Sequence, residues 1–218
     1  MGLVKQLMFV VAGAIFSSAV FAAEDINKFN STNFYMGFEG GLDSTSFDVN
    51  STYWASAKSS SASGGSYGPY VGALVVPDSW RGFNTALEMF FNWNDTKSTY
   101  SSTNNLLSIE KQNTVGVSLL PGYFLKNWVN IYGRIGYVIS QVETNNTFGA
   151  GYSNRNNLDG LQLGFGAVFN IWKNLSLRAE LDWTNYGSVN QQQLESPFNT
   201  QNVSMNSFDG MLGVQWSF

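Results

Sequence analysis

The sequence predicts an all-β chain: eight antiparallel strands closed in up-and-down order into a transmembrane barrel. Three observations carry that reading. Segments in which apolar residues alternate with small or polar ones recur eight times along the 218 residues. The connections between them alternate between three short turns and four long polar stretches. The last segment runs from Phe208 to Phe218 with Phe208, Gly210, Leu212, Val214, Trp216 and Phe218 on one face. A strand alternates faces with period two, so one face of that segment is apolar and ends in aromatics. Its other face, Asp209, Met211, Gly213, Gln215 and Ser217, is mostly small or polar. A strand with lipid on one side and a narrow polar lumen on the other has this pattern.

The N-terminus reads as a secretory signal. Met1 to Lys5 carries one positive charge, Leu7 to Phe16 is apolar, and Val20-Phe21-Ala22 fits a signal-peptidase site with cleavage after Ala22. The apolar run is too short to span a bilayer, and no Cys follows to carry a lipid anchor. The other reading is an N-terminal anchor that stays attached. Residues 1–22 are therefore expected to be a signal peptide, 23–32 a short periplasmic segment, and 33–218 the barrel. Later segments hold no apolar run of the roughly 18 residues that a spanning helix needs, so a membrane-crossing form must be a closed barrel.

The strands follow in order. Phe34, Met36, Phe38, Gly40 and Leu42 oppose Tyr35, Gly37, Glu39, Gly41 and Asp43 in the first. The second, Tyr67 to Val76, is apolar on both faces and its parity is open; Pro69 predicts poor pairing at its upper end. In the third, Phe83, Thr85, Leu87, Met89, Phe91 and Trp93 oppose Asn84, Ala86, Glu88 and Asn92. In the fourth, Val115, Val117 and Leu119 oppose Thr114, Gly116 and Ser118. In the fifth, Val129, Ile131, Gly133, Ile135, Tyr137 and Ile139 oppose Tyr132, Arg134, Gly136 and Ser140. In the sixth, Leu161, Leu163, Phe165, Ala167, Phe169 and Ile171 oppose Gln162, Gly164, Gly166 and Asn170. In the seventh, Leu175, Leu177, Ala179, Leu181 and Trp183 oppose Ser176, Arg178, Glu180, Asp182 and Thr184. The eighth is the C-terminal strand.

Pro77–Trp80, Leu125–Trp128 and Trp172–Asn174 are the short turns. The stretches near 44–66, 94–112, 143–157 and 186–204 are read as long loops rich in Ser, Asn, Thr, Gln and Gly, with Ser59 to Ser66 as a flexible tract. Trp80, Trp128 and Trp172 mark one end of the apolar band, and Tyr53, Trp54, Trp93, Trp183 and Tyr186 the other, as interfacial girdles. A soluble lipocalin-like or sandwich fold would turn its apolar face inward. Here the inward face is rich in Gly, Ser, Thr and Ala, which would not fill a soluble core.

The segment Ser118-Leu119-Leu120-Pro121-Gly122-Tyr123, followed after a turn by Ile131-Tyr132-Gly133-Arg134-Ile135-Gly136-Tyr137, is similar to the central hairpin of a bacterial family. Over residues 33–218 the chain resembles the small OmpA/OmpX-type outer-membrane barrels and the related opacity-like, "porin family" proteins. The resemblance implies a Gram-negative outer-membrane location with short turns and both termini periplasmic and the long loops extracellular. It also implies that the face of Phe208, Leu212, Val214, Trp216 and Phe218 is an assembly signal read by the outer-membrane assembly machinery. The family uses one scaffold for adhesion, envelope integrity and small pores.

Composition narrows the chemistry. There is no His and no Cys. Ser-His hydrolases, Asp-His proteases, lipid A acyl-transfer barrels and imidazole or thiolate metal sites are therefore excluded. An enzyme using carboxylates alone stays open, but a non-catalytic protein with no metal and no cofactor is expected. After cleavage, 10 basic residues face 15 acidic ones, a net charge of −5, which argues against nucleic acid. Outer-membrane lipid and lipopolysaccharide, the assembly machinery and a host or surface ligand bound through the loops are the expected partners of a monomer.

The inward charges Glu39, Glu88, Arg134, Arg178, Glu180 and Asp182 fall near mid-strand and are expected to meet at similar depth. Charges there cannot face lipid without a cost of several kcal/mol. An eight-stranded barrel is just wide enough for side chains to fill it, so an Arg–carboxylate network plugging the lumen is the favoured reading. A gate in a narrow pore is the other. The two function classes that follow are a structural or surface-interaction barrel acting through four extracellular loops, and a narrow channel for ions or small solutes.

Overall fold

The computed structural model describes residues 32–51, 58–77, 82–102, 105–146, 152–190 and 200–218. Eight strands follow one another: β1 (Thr32–Ser51), β2 (Lys58–Val75), β3 (Phe83–Ser102), β4 (Asn105–Lys126), β5 (Val129–Asn146), β6 (Tyr152–Asn170), β7 (Leu175–Asn190) and β8 (Thr200–Ser217). Each pairs antiparallel with its chain neighbours, and β1 pairs with β8, so the sheet closes in the order β1 to β8. Closure leaves no free edge, the condition for a sheet in lipid. The seam runs from Tyr35 opposite Ser217 to Ser51 opposite Thr200, and the Phe218 amide donates to the Phe34 carbonyl at 2.9 Å.

The alternation read from the sequence sets inside and outside. Phe38, Leu87, Ile135, Phe165, Leu181 and Val214 are exposed, while Glu39, Glu88, Arg134, Arg178 and Glu180 are buried. Leu42 and Leu212 are 72% and 70% exposed, a cost in water but not in lipid. The open parity of the second strand is settled: Ser66, Gly68 and Tyr70 face inward, and Tyr67, Pro69 and Val75 outward. Both faces are apolar because Tyr70 and Leu74 pack inside the barrel. The β2–β3 ladder skips Gly68 and Pro69 and stops at Ser66, the poor pairing expected from a proline.

The turn side is tight. Only Asn127 and Trp128 separate the paired ends of β4 and β5 from a continuous ladder, and Ile171–Asn174 link β6 to β7. At the other end the strands run well beyond the apolar band. The stretches expected as long loops near 44–66, 94–112, 143–157 and 186–204 are mostly strand, including the Ser60 to Ser66 part of the serine tract. Backbone pairing persists there because side chains decide only what the hairpin faces, and out of the membrane a polar outer face is favourable. Asp48, Ser61, Asp95, Lys97, Arg155 and Asp159 are accordingly exposed.

Trp93, Trp183, Trp128 and Trp172 are exposed on the outer face as the girdle reading requires. Tyr186 is not a girdle residue. It follows Asp182 and Thr184 on the inner face of β7, is 5% exposed, and bonds the Ser140 hydroxyl at 2.7 Å. Tyr53, Trp54 and Trp80, the expected signal peptide over residues 1–22 and the segment up to residue 31 lie outside the described residues.

Candidate functional site in the barrel lumen

Glycines seat the side chains that fill the lumen. A side chain at Gly37 would collide with the Tyr70 ring, one at Gly72 with Tyr35, one at Gly116 with Phe90 and one at Gly166 with Tyr132. Each ring thus lies across a neighbouring strand, and the lumen closes around what the rings hold.

They hold an ion-paired cluster. Glu88 on β3 accepts from Arg134 Nη2 at 2.5 Å, from Arg178 Nη1 and Nη2 at 2.5 and 3.0 Å, and from the Tyr35 hydroxyl at 2.9 Å. Glu180 accepts from Arg178 Nε at 3.0 Å and from the Tyr132 hydroxyl at 2.5 Å, and pairs with Arg178 Nη2 and, at 2.9 Å, with Arg134 Nη2. The Arg178 guanidinium lies 4.4 Å from the Tyr70 centroid and 5.4 Å from that of Tyr132; Arg134 lies 5.1 Å from Phe90. Rings at these distances attract a cation through their quadrupoles. Two arginines shared between two carboxylates and capped by tyrosine hydroxyls compensate the buried charges with directed hydrogen bonds.

Four of the six expected charges, Glu88, Arg134, Arg178 and Glu180, meet directly. Asp182 touches the cluster through Arg134 Nη1 at 3.8 Å. Glu39 is buried in the lumen too but forms no ion pair among the described residues; the Asn92 amide donates to it at 3.3 Å. Five of the six charges are thus linked by ion pairs, and Glu39 stands beside them.

A second cluster lies on the loop side, where the sequence singles out no site. Lys111 Nζ pairs with Asp43 Oδ2 at 2.9 Å and donates to the Ser207 hydroxyl at 3.2 Å. Asp43 also accepts from Thr45, Thr96 and Ser207, and Ser207 contacts Asp209 at 3.2 and 3.3 Å. Lys111 falls in a stretch that reads as loop. Strict alternation from Val115 would moreover turn it outward, but the register shifts between Lys111 and Asn113, and a bulge of this kind flips the parity beyond it. Asp43 and Asp209 sit on the inward face of their strands in the sequence pattern and carry the available signal.

Below the arginine cluster a vestibule of about 200 Å³ opens on the turn side, lined by Asn84, Asn130, Gln215, Lys173, Tyr132 and Arg178 among others. Asn84 and Asn130 donate to each other across it at 3.0 and 3.3 Å. Between the two charge clusters there is room of about 10 Å³, one water's worth. Among the described residues no group of three or more His, Cys, Asp or Glu is placed to hold a metal ion. On the outer face Phe208, Leu212, Val214, Trp216 and Phe218 are all exposed along β8 and its end.

A closed eight-stranded antiparallel barrel, apolar outside and ion-paired within, defines an integral protein of the bacterial outer membrane. The family model described as outer membrane protein beta-barrel domain matches residues 8–218, and the chain belongs to that family. A major outer membrane protein of Thermus thermophilus is similar in structure at 13% identity, with a TM-score of 0.51 over 86% of this chain and 100% of that one. The outer membrane protease OmpT of Escherichia coli superposes at 10% identity and TM-score 0.49, covering 89% and 99% of the two chains. Ail, the attachment invasion locus protein of Yersinia pestis, does so at 13% identity and TM-score 0.43, covering 84% and 98%. These identities show a shared fold alone. No curated protein sequence matches the chain.

Proposed function

We propose that this protein is a non-catalytic, monomeric outer-membrane barrel whose lumen is a plug and whose work is done by the four hairpins at the end opposite the short turns. The observation that carries this reading is the lumen: Glu88, Arg134, Arg178 and Glu180 bridge the barrel from wall to wall, with Tyr35, Tyr70, Tyr132 and Phe90 filling the remaining width. The hairpins support the second half. They carry exposed Ser, Asp, Lys, Arg and Asn beyond the apolar band, a surface suited to polar ligands rather than to lipid. In this reading the turns and both termini are periplasmic and the hairpins extracellular. Lipid and lipopolysaccharide solvate the outer face, the assembly machinery reads the Phe208–Phe218 face, and a host or surface ligand meets the hairpins.

The second reading, a narrow channel for ions or small solutes, draws support from the vestibule, which reaches Arg178 from the turn side. Reconstitution in planar bilayers separates the two. Replacing the hairpin tips while keeping the barrel tests the surface role: ligand or cell binding that survives four replaced tips would rule that role out.

A further inference from the structure

The vestibule on the turn side ends at Arg178, which with Glu88 and Glu180 closes it toward the loop side. Its wall has two arcs. One is apolar and crosses three adjacent strands, with Leu74 opposite Ala86 and Ala86 opposite Leu120. The other is polar and runs from the turn before β7 across β8 to β1. There the Asn174 amide donates to the Ser217 carbonyl at 2.7 Å, Gln215 stands opposite Ser176, and Ser217 stands opposite Tyr35, two residues after Asn33. The arcs meet where Asn33 pairs with Leu74. Gln215 is 8% exposed, yet its side-chain amide has no hydrogen-bond partner among the described residues. Lys173, next to Asn174, has no ion-pair partner among them either. Two cationic side chains line the vestibule, Lys173 and Arg178, and no acidic one does. Arg178 is spent on Glu88 and Glu180, so the donors left over are those of Gln215 and Lys173, on one arc.

We propose that the vestibule binds a small amphipathic carboxylate of about benzoate size, its apolar body against Leu74, Ala86 and Leu120 and its head toward Gln215 and Lys173. A cavity of roughly 150 Å³ accommodates a benzene ring, so about 200 Å³ leaves room for a ring that carries a carboxylate. A carboxylate only accepts hydrogen bonds, which matches an amide and an ammonium with unspent donors. Small-molecule sites are built this way, with apolar walls for affinity and a few placed polar groups for orientation. Acetate would leave the apolar arc to water, and an apolar ring alone would leave the Gln215 amide unpaired. The inference holds whether the cluster that closes the vestibule is a plug or a gate.

The test titrates the full refolded protein in detergent with 4-fluorobenzoate, read by ¹⁹F NMR. A saturable component is expected, displaced by unlabelled benzoate and not by acetate; partition into micelles does not saturate in this way. The uncharged 4-fluorobenzamide, of equal size, should bind more weakly. Gln215→Leu should raise the half-saturation about tenfold, the scale of one hydrogen bond to a charged group. Lys173→Gln should raise it about threefold, since an exposed charge contributes less. Neither side chain takes part in the Arg134/Arg178 cluster, and heat-modifiable migration on SDS gels checks that each variant is folded. The absence of a saturable component in the unaltered protein, a half-saturation unchanged in both variants, or equal affinity for the acid and the amide would overturn the proposal. Because the unaltered protein decides alone, a variant that fails to fold does not rescue it.

Discussion

Arg178 on β7 and Glu88 on β3 stand on opposite walls of the barrel and are joined by two hydrogen bonds of 2.5 and 3.0 Å. The two strands are four apart in a ring of eight. The pair therefore acts as a strut across the full width of the lumen, with the Tyr70 ring centred 4.4 Å from the guanidinium.

Arg178→Leu is expected to leave Glu88 and Glu180 short of a buried partner. Breaking such a pair from one side typically costs about 3–5 kcal/mol, and water entering from the vestibule lowers the figure. The urea midpoint of the folded barrel in detergent should fall accordingly. Adding Glu88→Gln to Arg178→Leu should cost less than the two single changes summed, because contacting charges couple. Simple additivity would mean that the strut carries no shared energy.

Gly166→Val is expected to destabilise the barrel by about 1–3 kcal/mol, the range for overpacking. A side chain there meets the Tyr132 ring, and Tyr132 holds Glu180. Gly40→Val is the comparison, since a Cβ there has room. Thermal unfolding that moves equally for both would remove the role assigned to Gly166 as a seat for the ring.

Boiled and unboiled samples should migrate differently on SDS gels, because closure makes all β pairing mutual and the unheated barrel stays compact. Identical migration together with little β signal in circular dichroism would speak against a closed barrel.

Changing Trp216 and Phe218 to Ser is expected to leave export intact while lowering the amount inserted in the outer membrane. Both side chains are exposed, Trp216 on the outer face of β8 and Phe218 just past its end. Wild-type levels of inserted variant, measured in membrane fractions, would remove the assembly role of this face.

The architecture is legible in the sequence because lipid and lumen impose opposite demands on successive residues, so the period-two pattern is strong in seven strands. It blurs in β2, where Tyr70 and Leu74 make the inner face apolar too. The inward arginines and glutamates are legible because the lipid face cannot carry them. Their partners are less so: that Glu39 stands apart from the cluster depends on side-chain reach, which parity does not encode. Lys111 is hidden by the bulge between Lys111 and Asn113, since a one-residue shift reverses every assignment beyond it. Tyr186 looks like an interfacial aromatic because the extent of β7 past Trp183 is set by pairing with β8, from which single-strand composition says little.

Planar-bilayer recording puts the plugged lumen to the most direct test. The unaltered protein should pass no steady current, while Arg134→Ala, which removes the bridge from β5 to Glu88 and Glu180, should conduct. Stable, ohmic current through the unaltered barrel at low voltage would mean that the Arg134/Arg178 cluster is a gate rather than a plug, and the channel reading would replace the one proposed.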